Sequence, residues 1–395
     1  MHDLNTNSKD DFIYMDNASS TRTDPRVIDE MMPFITGHYG NPSSIHKAGF
    51  EVKEKIEEAR KKVAALVNAE PEEIYFTSCG TESNNFALFG ISEALKSRGN
   101  HIISSEIEHI SILNPLKELQ KRGFDVTLLP VDGEGFIDAD GLKKAIRKET
   151  ILISIMHANN EIGTIQKIRE ISETAAEKGI AFHTDAVATA GIIPADVKEL
   201  NVSAMSFSSQ QMHGPKGSAA LYLKKGIRIR PSLLGGVQER GRRAGTENVA
   251  GIIGFGKACE LAKEEMNKNA EKIIPLRDKL IAGIKESIKD VKLNGSIQHR
   301  LPGNVHISFE YVEGESIVLF LNMEGIYVAT GSSCASQALK SSHVCSAIGL
   351  GAATSQGSIL FSLSKYNTEE QIDKVLAALP PIIDRLRKMS PLYKG

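Results

Sequence analysis

Several short polar turns carry residue types from which a reactive centre can be built. Cys334 lies in Thr330-Gly331-Ser332-Ser333-Cys334-Ala335-Ser336, a run of small residues. A cysteine packed in a core is usually inert, but one in a Gly/Ser loop is exposed enough to act as a nucleophile, and we read Cys334 that way. Ser78-Cys79-Gly80-Thr81-Glu82 follows an apolar run and opens a helical pattern. Backbone N–H groups at a helix start, with the Thr81 hydroxyl, make a natural phosphate cradle; the same turn also serves as a plain N-cap. Asp185 ends the apolar run Ala181-Phe182-His183-Thr184, where a carboxylate is costly unless partnered. It is either a helix cap or the partner of a cationic ligand ring. His109, after Glu106-Ile107-Glu108, is a lone histidine, more often a surface or hydrogen-bonded structural residue than a functional one. Asn159-Asn160-Glu161-Ile162-Gly163-Thr164 brings two amides to the end of a very apolar strand, suited to ligand contact or loop bracing. Cys259 and Cys345 sit on apolar helix faces and read as core.

The elements that must position these turns alternate along the chain. Strands are expected at 74–76, 101–105, 126–131, 151–156, 181–185, 204–207 and 219–223. Helices are expected at 25–36, 47–68, about 80–96, 111–122, 139–148 and 167–178. Apolar rather than alternating strands between helices indicate an α/β domain with a mostly parallel sheet covered on both faces. Ser203 to Tyr222 supplies its last two strands, joined by a polar turn through Gly214-Pro215-Lys216-Gly217. A helix near 249–268 leads to a smaller α+β region with helices at about 269–289, 314–325 and 368–388. The expected organisation is an arm over 1–15, a large domain over 16–265 and a small domain over 266–395 carrying the Cys334 loop.

Composition narrows the class. The chain has 395 residues, 41% hydrophobic and 24% charged, with a formal net charge of -2. That balance argues against nucleic-acid binding, which needs a concentrated basic surface. No run of about 18 apolar residues exists, so no membrane span is expected, and the polar N-terminus lacks a signal-peptide core. The four cysteines follow neither zinc-ligand nor disulfide-framework spacing. A cytoplasmic protein is expected.

In order and spacing, the motifs resemble those of the NifS/IscS-type cysteine desulfurases, in the class V aminotransferase group with the type I pyridoxal-phosphate fold. The resemblance runs from Tyr14-Met15-Asp16-Asn17-Ala18 through Gly40-Asn41-Pro42-Ser43-Ser44-Ile45-His46 and Phe76-Thr77-Ser78-Cys79-Gly80-Thr81-Glu82-Ser83-Asn84-Asn85. It continues through the Asn159, His183-Thr184-Asp185-Ala186-Val187, Gly214-Pro215-Lys216-Gly217, Gln238-Glu239-Arg240-Gly241 and Gly245-Thr246-Glu247-Asn248 motifs to the Cys334 loop. It implies that Gly80, Thr81 and Ser208 hold a cofactor phosphate, together with Thr246 from a partner subunit. It implies that His109 stacks on the pyridine ring and moves protons, that Asp185 keeps the ring nitrogen protonated, and that Asn160 lies near substrate and cofactor. Cys334 would take the sulfur as a persulfide and pass it on. A homodimer and a scaffold or acceptor of the IscU type are implied as partners.

Four departures bear on that chemistry. The Schiff-base lysine position holds Gln211, and the preceding phosphate-contacting histidine position holds Gln210. Ala188 stands where a glutamine contacts the cofactor's phenolic oxygen, and Leu360 where an arginine clamps the substrate carboxylate. A carboxamide has no nucleophilic amine and no useful pKa. An acid/base group typically contributes about 10²–10⁴ in rate. The expected function is therefore a desulfurase-like protein of sulfur mobilisation and iron–sulfur assembly without the usual turnover. Cys334 would act as relay or as a transient iron–sulfur ligand, with pyridoxal phosphate non-covalent or absent. The alternatives are an active desulfurase or related lyase with non-covalent cofactor, and a small-anion binder in a vestigial pocket. Cys79, where the family has a small glycine, has no assigned role.

Overall fold

The computed structural model describes residues 12–331, 342–391 and 393. Strands are numbered in chain order: β1 Ile13–Tyr14, β2 Ile74–Thr77, β3 His101–Ser105, β4 Asp125–Leu129, β5 Thr150–Ser154, β6 Ala181–Asp185, β7 Ala204–Ser208, β8 Ala219–Leu223, β9 Val291–Leu293, β10 Asn304–Phe309, β11 Ile326–Tyr327 and β12 Ser358–Ser362. The chain divides into two compact units. The larger comprises Ser20–Asn160 and Thr164–Asn267; the smaller is drawn from Met1–Ser19, Glu161–Gly163 and Lys268–Gly395.

In the larger unit seven strands form one sheet in the order β2-β8-β7-β6-β5-β3-β4. β3 to β7 pair in parallel, while β8 runs antiparallel to both of its neighbours. This is the mostly parallel α/β sheet expected from the apolar strands. β2, β3, β5, β6, β7 and β8 are buried at every position, which requires helices on both faces. The strand order reverses at β3, flanked by β4 and β5. Ligands of open α/β sheets bind beyond the carboxyl ends of strands at such reversals. β2 is antiparallel to β8 and β8 to β7, so the carboxyl end of β2 lies on the same edge as those of the parallel strands.

That edge carries the candidate turns, and local interactions fix them. The turn after β7 is held by the 21–24 segment: Lys216 Nζ donates to Thr21 O at 2.9 Å, Asp24 N–H to His213 O at 2.9 Å, and Thr21 Oγ1 to Gln210 O. Gly214 is required there, because a Cβ would fall 1.9 Å from Ser209 Oγ. Beside β2, Arg60 and Glu239 form a buried two-pronged ion pair at 2.7 and 2.8 Å. Arg60 also donates to Ile74 O at 3.0 Å, and Glu239 accepts Phe76 N–H at 2.9 Å. These bonds hold Glu239 and Arg240 at positive φ, +42° and +57°, in the loop leading to Thr246.

The smaller unit contains the antiparallel sheet β12-β10-β9 and the parallel pair β1-β11. Val305, Ile307 and Phe309 of β10 join the core with Phe361, Leu280 and Ile284. Asn304, His306 and Ser308 therefore lie on the other face. Two expectations are corrected. Residues 249–287 form one helix rather than two meeting near 268, because the polar run 263–272 is a solvent-facing stretch of that helix, not a break. The helix expected to reach 148 ends at Ala145, where Ile146 turns to an extended conformation.

Candidate functional site

The helix Gly80–Leu95 begins directly after β2. Its N-cap, Cys79, makes no side-chain cap hydrogen bond. The one acidic residue of its first turn, Glu82, is turned back onto Ser78, accepting from its N–H at 2.8 Å and its hydroxyl at 2.5 Å, and pairs with Arg243 at 2.8 Å. The helix start therefore has no N-cap side-chain bond, and its N–H groups favour an anion. Gly80 packs so closely on the next turn that a Cβ would lie 2.5 Å from Val187 Cγ2. Thr81 is exposed at the helix start. At the end of β7, the hydroxyls of Ser208 and Ser209 are buried without a hydrogen-bond partner. Gln210 and Gln211 follow, both half-buried, in a short 3₁₀ turn.

Val187, packed against Gly80, donates its N–H to Asp185 Oδ1 at 2.9 Å. Asp185 therefore closes a tight turn rather than capping a helix. Its other oxygen accepts from Asn84 Nδ2 at 2.6 Å. Burial raises its pKa, opposed by the Val187 N–H, His109 and Asn84. Asn84 Nδ2 also donates to Ser111 Oγ at 2.8 Å, and Ser111 Oγ lies 2.7 Å from His109 Nδ1. Ser111 N–H donates to the same Nδ1 at 3.1 Å. A backbone N–H can only donate, so neutral His109 carries its proton on Nε2. His109 is therefore both the structural N-cap of the helix Ile110–Lys121 and a half-buried imidazole with a fixed tautomer. Next to it, Glu108 is fully buried, accepts from Ser105 Oγ at 2.6 Å and from Met156 N–H at 3.0 Å, and burial pushes its pKa up to about 8.

Gly80, Asp185 and His109 are thus joined by one chain of contacts, through Val187 on one side and Asn84 and Ser111 on the other. Asn84 and Glu108 stand within motifs legible in the sequence, but neither they nor Ser111 could be given a role there. Their only signal is polarity: Asn84 falls on an otherwise apolar helix face, which demands a buried partner. Asn159 braces its loop by donating to Ile107 O at 2.9 Å, leaving half-buried Asn160 as the amide suited to ligand contact. Ala188 is half-buried one residue beyond Val187, and Thr246 is exposed. Leu360 is buried in β12 of the smaller unit. Lys216 is exposed and committed to Thr21 O. Cys334 lies outside the described residues.

The residues present suit a phosphorylated aromatic ring with a cationic nitrogen. The phosphate matches the uncapped helix start and the Ser208 hydroxyl, and the cation matches Asp185. The donor set fits such a group.

The chain matches the family model described as "Aminotransferase class-V" over residues 13–375. A protein named cysteine desulfurase IscS from Dictyoglomus turgidum is 53% identical, covering 97% of each chain. Another of that name from Methanosarcina thermophila is 50% identical, covering 98% of this chain and 96% of its own. Among solved structures, one titled "NIFS-LIKE PROTEIN" superposes with a TM-score of 0.89 at 39% identity over 95% of this chain and 100% of its own. A NifS-like protein from Rickettsia africae gives a TM-score of 0.85 at 30% identity, covering 94% and 99%.

Proposed function

The chain belongs to the class V aminotransferases, among the NifS/IscS cysteine desulfurases, and from that premise we propose that it mobilises cysteine sulfur for iron–sulfur assembly with pyridoxal phosphate held non-covalently. The observation that carries this reading is the linked set Gly80–Val187–Asp185–Asn84–Ser111–His109, an apparatus for a phosphorylated cationic ring. The uncapped helix start at Gly80 and Thr81, with Ser208, would hold the phosphate, and Thr246 of a second copy would complete it. Bound there, the cofactor would supply an electron sink for charge developing at the substrate carbon. Asp185 would hold the ring nitrogen in its protonated form. His109 would carry a proton at Nε2, its Nδ1 being occupied by Ser111. Asn160 would contact the ligand beside it. Gln211 offers no amine, so retention would rest on phosphate and ring contacts alone. Cys334 would accept the sulfur and pass it to a scaffold of the IscU type.

A second reading, relay without turnover, is favoured by one specific observation: Gln211, Ala188 and Leu360 together remove the amine, a ring contact and the carboxylate clamp. Purified protein incubated with pyridoxal phosphate and cysteine separates the two. Under the first reading, cofactor absorbance co-elutes with the chain, borohydride fails to fix it covalently, and sulfide is released. The missing acid/base group makes this release about 10²–10⁴ slower than in a lysine-bearing relative. Cofactor binding without any sulfide above the free-cofactor background overturns that reading. In that case, persulfide accepted from an external donor at Cys334 supports the relay.

A further inference from the structure

The smaller unit contains a cluster that the proposed chemistry does not use. Among the described residues, Glu161, His306 and Cys345 are the one group of three His, Cys, Asp or Glu side chains whose ligand atoms converge, all within 4.8 Å of one another and all buried. They come from the turn after Asn160, from β10 and from the helix His343–Ala347. His306 lies on the polar face of β10 with no exposed surface, and its Nε2 has no hydrogen-bond partner. Buried ring nitrogens are nearly always satisfied, so this one calls for an occupant. Cys345 is a free buried thiol. Space is left beside both other ligands by Gly331, at φ +84°, where a Cβ would stand 2.8 Å from His306 Nε2 and 3.7 Å from Glu161 Oε2.

We propose that Glu161, His306 and Cys345 form a binding site for a late first-row divalent cation, with zinc the best match. One thiolate, one imidazole and one carboxylate is a donor set for zinc or cobalt and not for magnesium or calcium, which take oxygen. Bonds of about 2.0–2.3 Å to a tetrahedral ion place donor atoms roughly 3.3–3.8 Å apart, so donors now within 4.8 Å of one another would close in by up to about 1–1.5 Å. Three protein ligands leave the fourth position open. Outer contacts are in place to orient the ligands. Ser342 Oγ donates to Glu161 Oε2 at 2.6 Å and accepts the N–H groups of Val344 and Cys345 at 3.1 and 3.3 Å. His306 Nδ1 faces the Asn294 carboxamide at 3.0 Å. For Nε2 to offer a lone pair, Nδ1 must donate its proton to that carboxamide. Half a turn of Asn294 achieves this, bringing onto Nδ1 the Oδ1 that is otherwise buried without a partner. Burial keeps the imidazole uncharged, its pKa pushed down to about 3.

The test is titration of metal-stripped full-length protein with cobalt(II) and zinc(II). One cobalt per chain is expected, with a thiolate-to-cobalt charge-transfer band and the visible bands of a four-coordinate ion; zinc displaces it. Cys345→Ser removes the charge-transfer band, and His306→Asn weakens binding by roughly a hundredfold or more. Circular dichroism checks that both variants fold. Cys334→Ser, which removes the loop thiol and none of the three proposed ligands, keeps the band. Absence of a thiolate band in the unaltered chain overturns the site. So does a band lost in Cys334→Ser and kept in Cys345→Ser, which puts the ion on the loop cysteine.

Discussion

At the scale of single residues, the proposed function makes position 211 the first place to test how a cofactor would be retained. On the proposed reading, Gln211→Lys combined with Leu360→Arg would supply the amine and the carboxylate clamp that the family resemblance implies. Borohydride should then fix the cofactor to the chain, and sulfide release should rise at least tenfold, measured side by side with the unaltered protein. No gain would count against the roles proposed for these two positions. Glu108 makes a separate prediction. Its carboxyl, ordinarily near 4.5, is held at about 8 in the folded chain by burial. The folded state therefore binds this proton more tightly than the unfolded one. The resulting stability is fully present below pH 4.5 and is lost as pH rises from 4.5 to 8, at up to about 1.4 kcal/mol per pH unit. Glu108→Gln should flatten that alkaline decline in urea unfolding measured from pH 5 to pH 9. An unchanged slope would show that Glu108 is ionised in the native state. This group was invisible in the sequence because a glutamate beside a histidine gives no sign of being fully buried.

At the scale of elements, the junction of β2 with the helix Gly80–Leu95 combines a close approach with a buried ion pair. Gly80→Ala drives a Cβ to within 2.5 Å of Val187 Cγ2 and so displaces the turn that orients Asp185. Cofactor affinity should fall at least tenfold by fluorescence titration, with secondary structure retained. The Arg60–Glu239 pair is more strictly structural. Glu239→Gln leaves the buried guanidinium without its counter-charge, and loss of one partner of such a pair typically costs about 3–5 kcal/mol. A stability change below about 1 kcal/mol in urea would mean that water reaches Arg60. The nearby signature Gln238-Glu239-Arg240-Gly241 was legible as a motif. That Glu239 reaches back to Arg60, 179 residues earlier, was not, because ion pairing at that separation leaves no periodic trace.

For the molecule as a whole, the buried histidines set the acid limit of stability. His157, His183 and His306 are pushed by burial to about 4, 3 and 3 from an ordinary 6.5. The unfolded chain takes up these protons first as pH falls, so stability should decline from pH 6.5 downward. Glu161, raised by burial to about 7, acts with Glu108 in the opposite direction between pH 4.5 and 7. The two effects partly offset there, so the steep acid loss is expected below pH 4.5, read as the fall in melting temperature. Steep loss already at pH 6 would mean that the carboxyls do not compensate. Among the described residues, no helix is long and apolar enough to cross a membrane.

The sequence by itself determined the alternation of elements, the parallel sheet and the identity of the turns at its carboxyl edge. These depend on local apolar runs and on Gly, Pro and Asn at turns, which act within a few residues. It also settled the residue types at 188, 210, 211 and 360, which need no structure to be read. The tertiary structure decided which side chains satisfy one another. It joined Asp185 to His109 through Asn84 and Ser111, closed Gly80 on Val187, and brought Glu161 to His306 and Cys345 from segments up to 184 residues apart. Such groups meet because long-range packing buries them together, and burial is what leaves their polar atoms in need of partners.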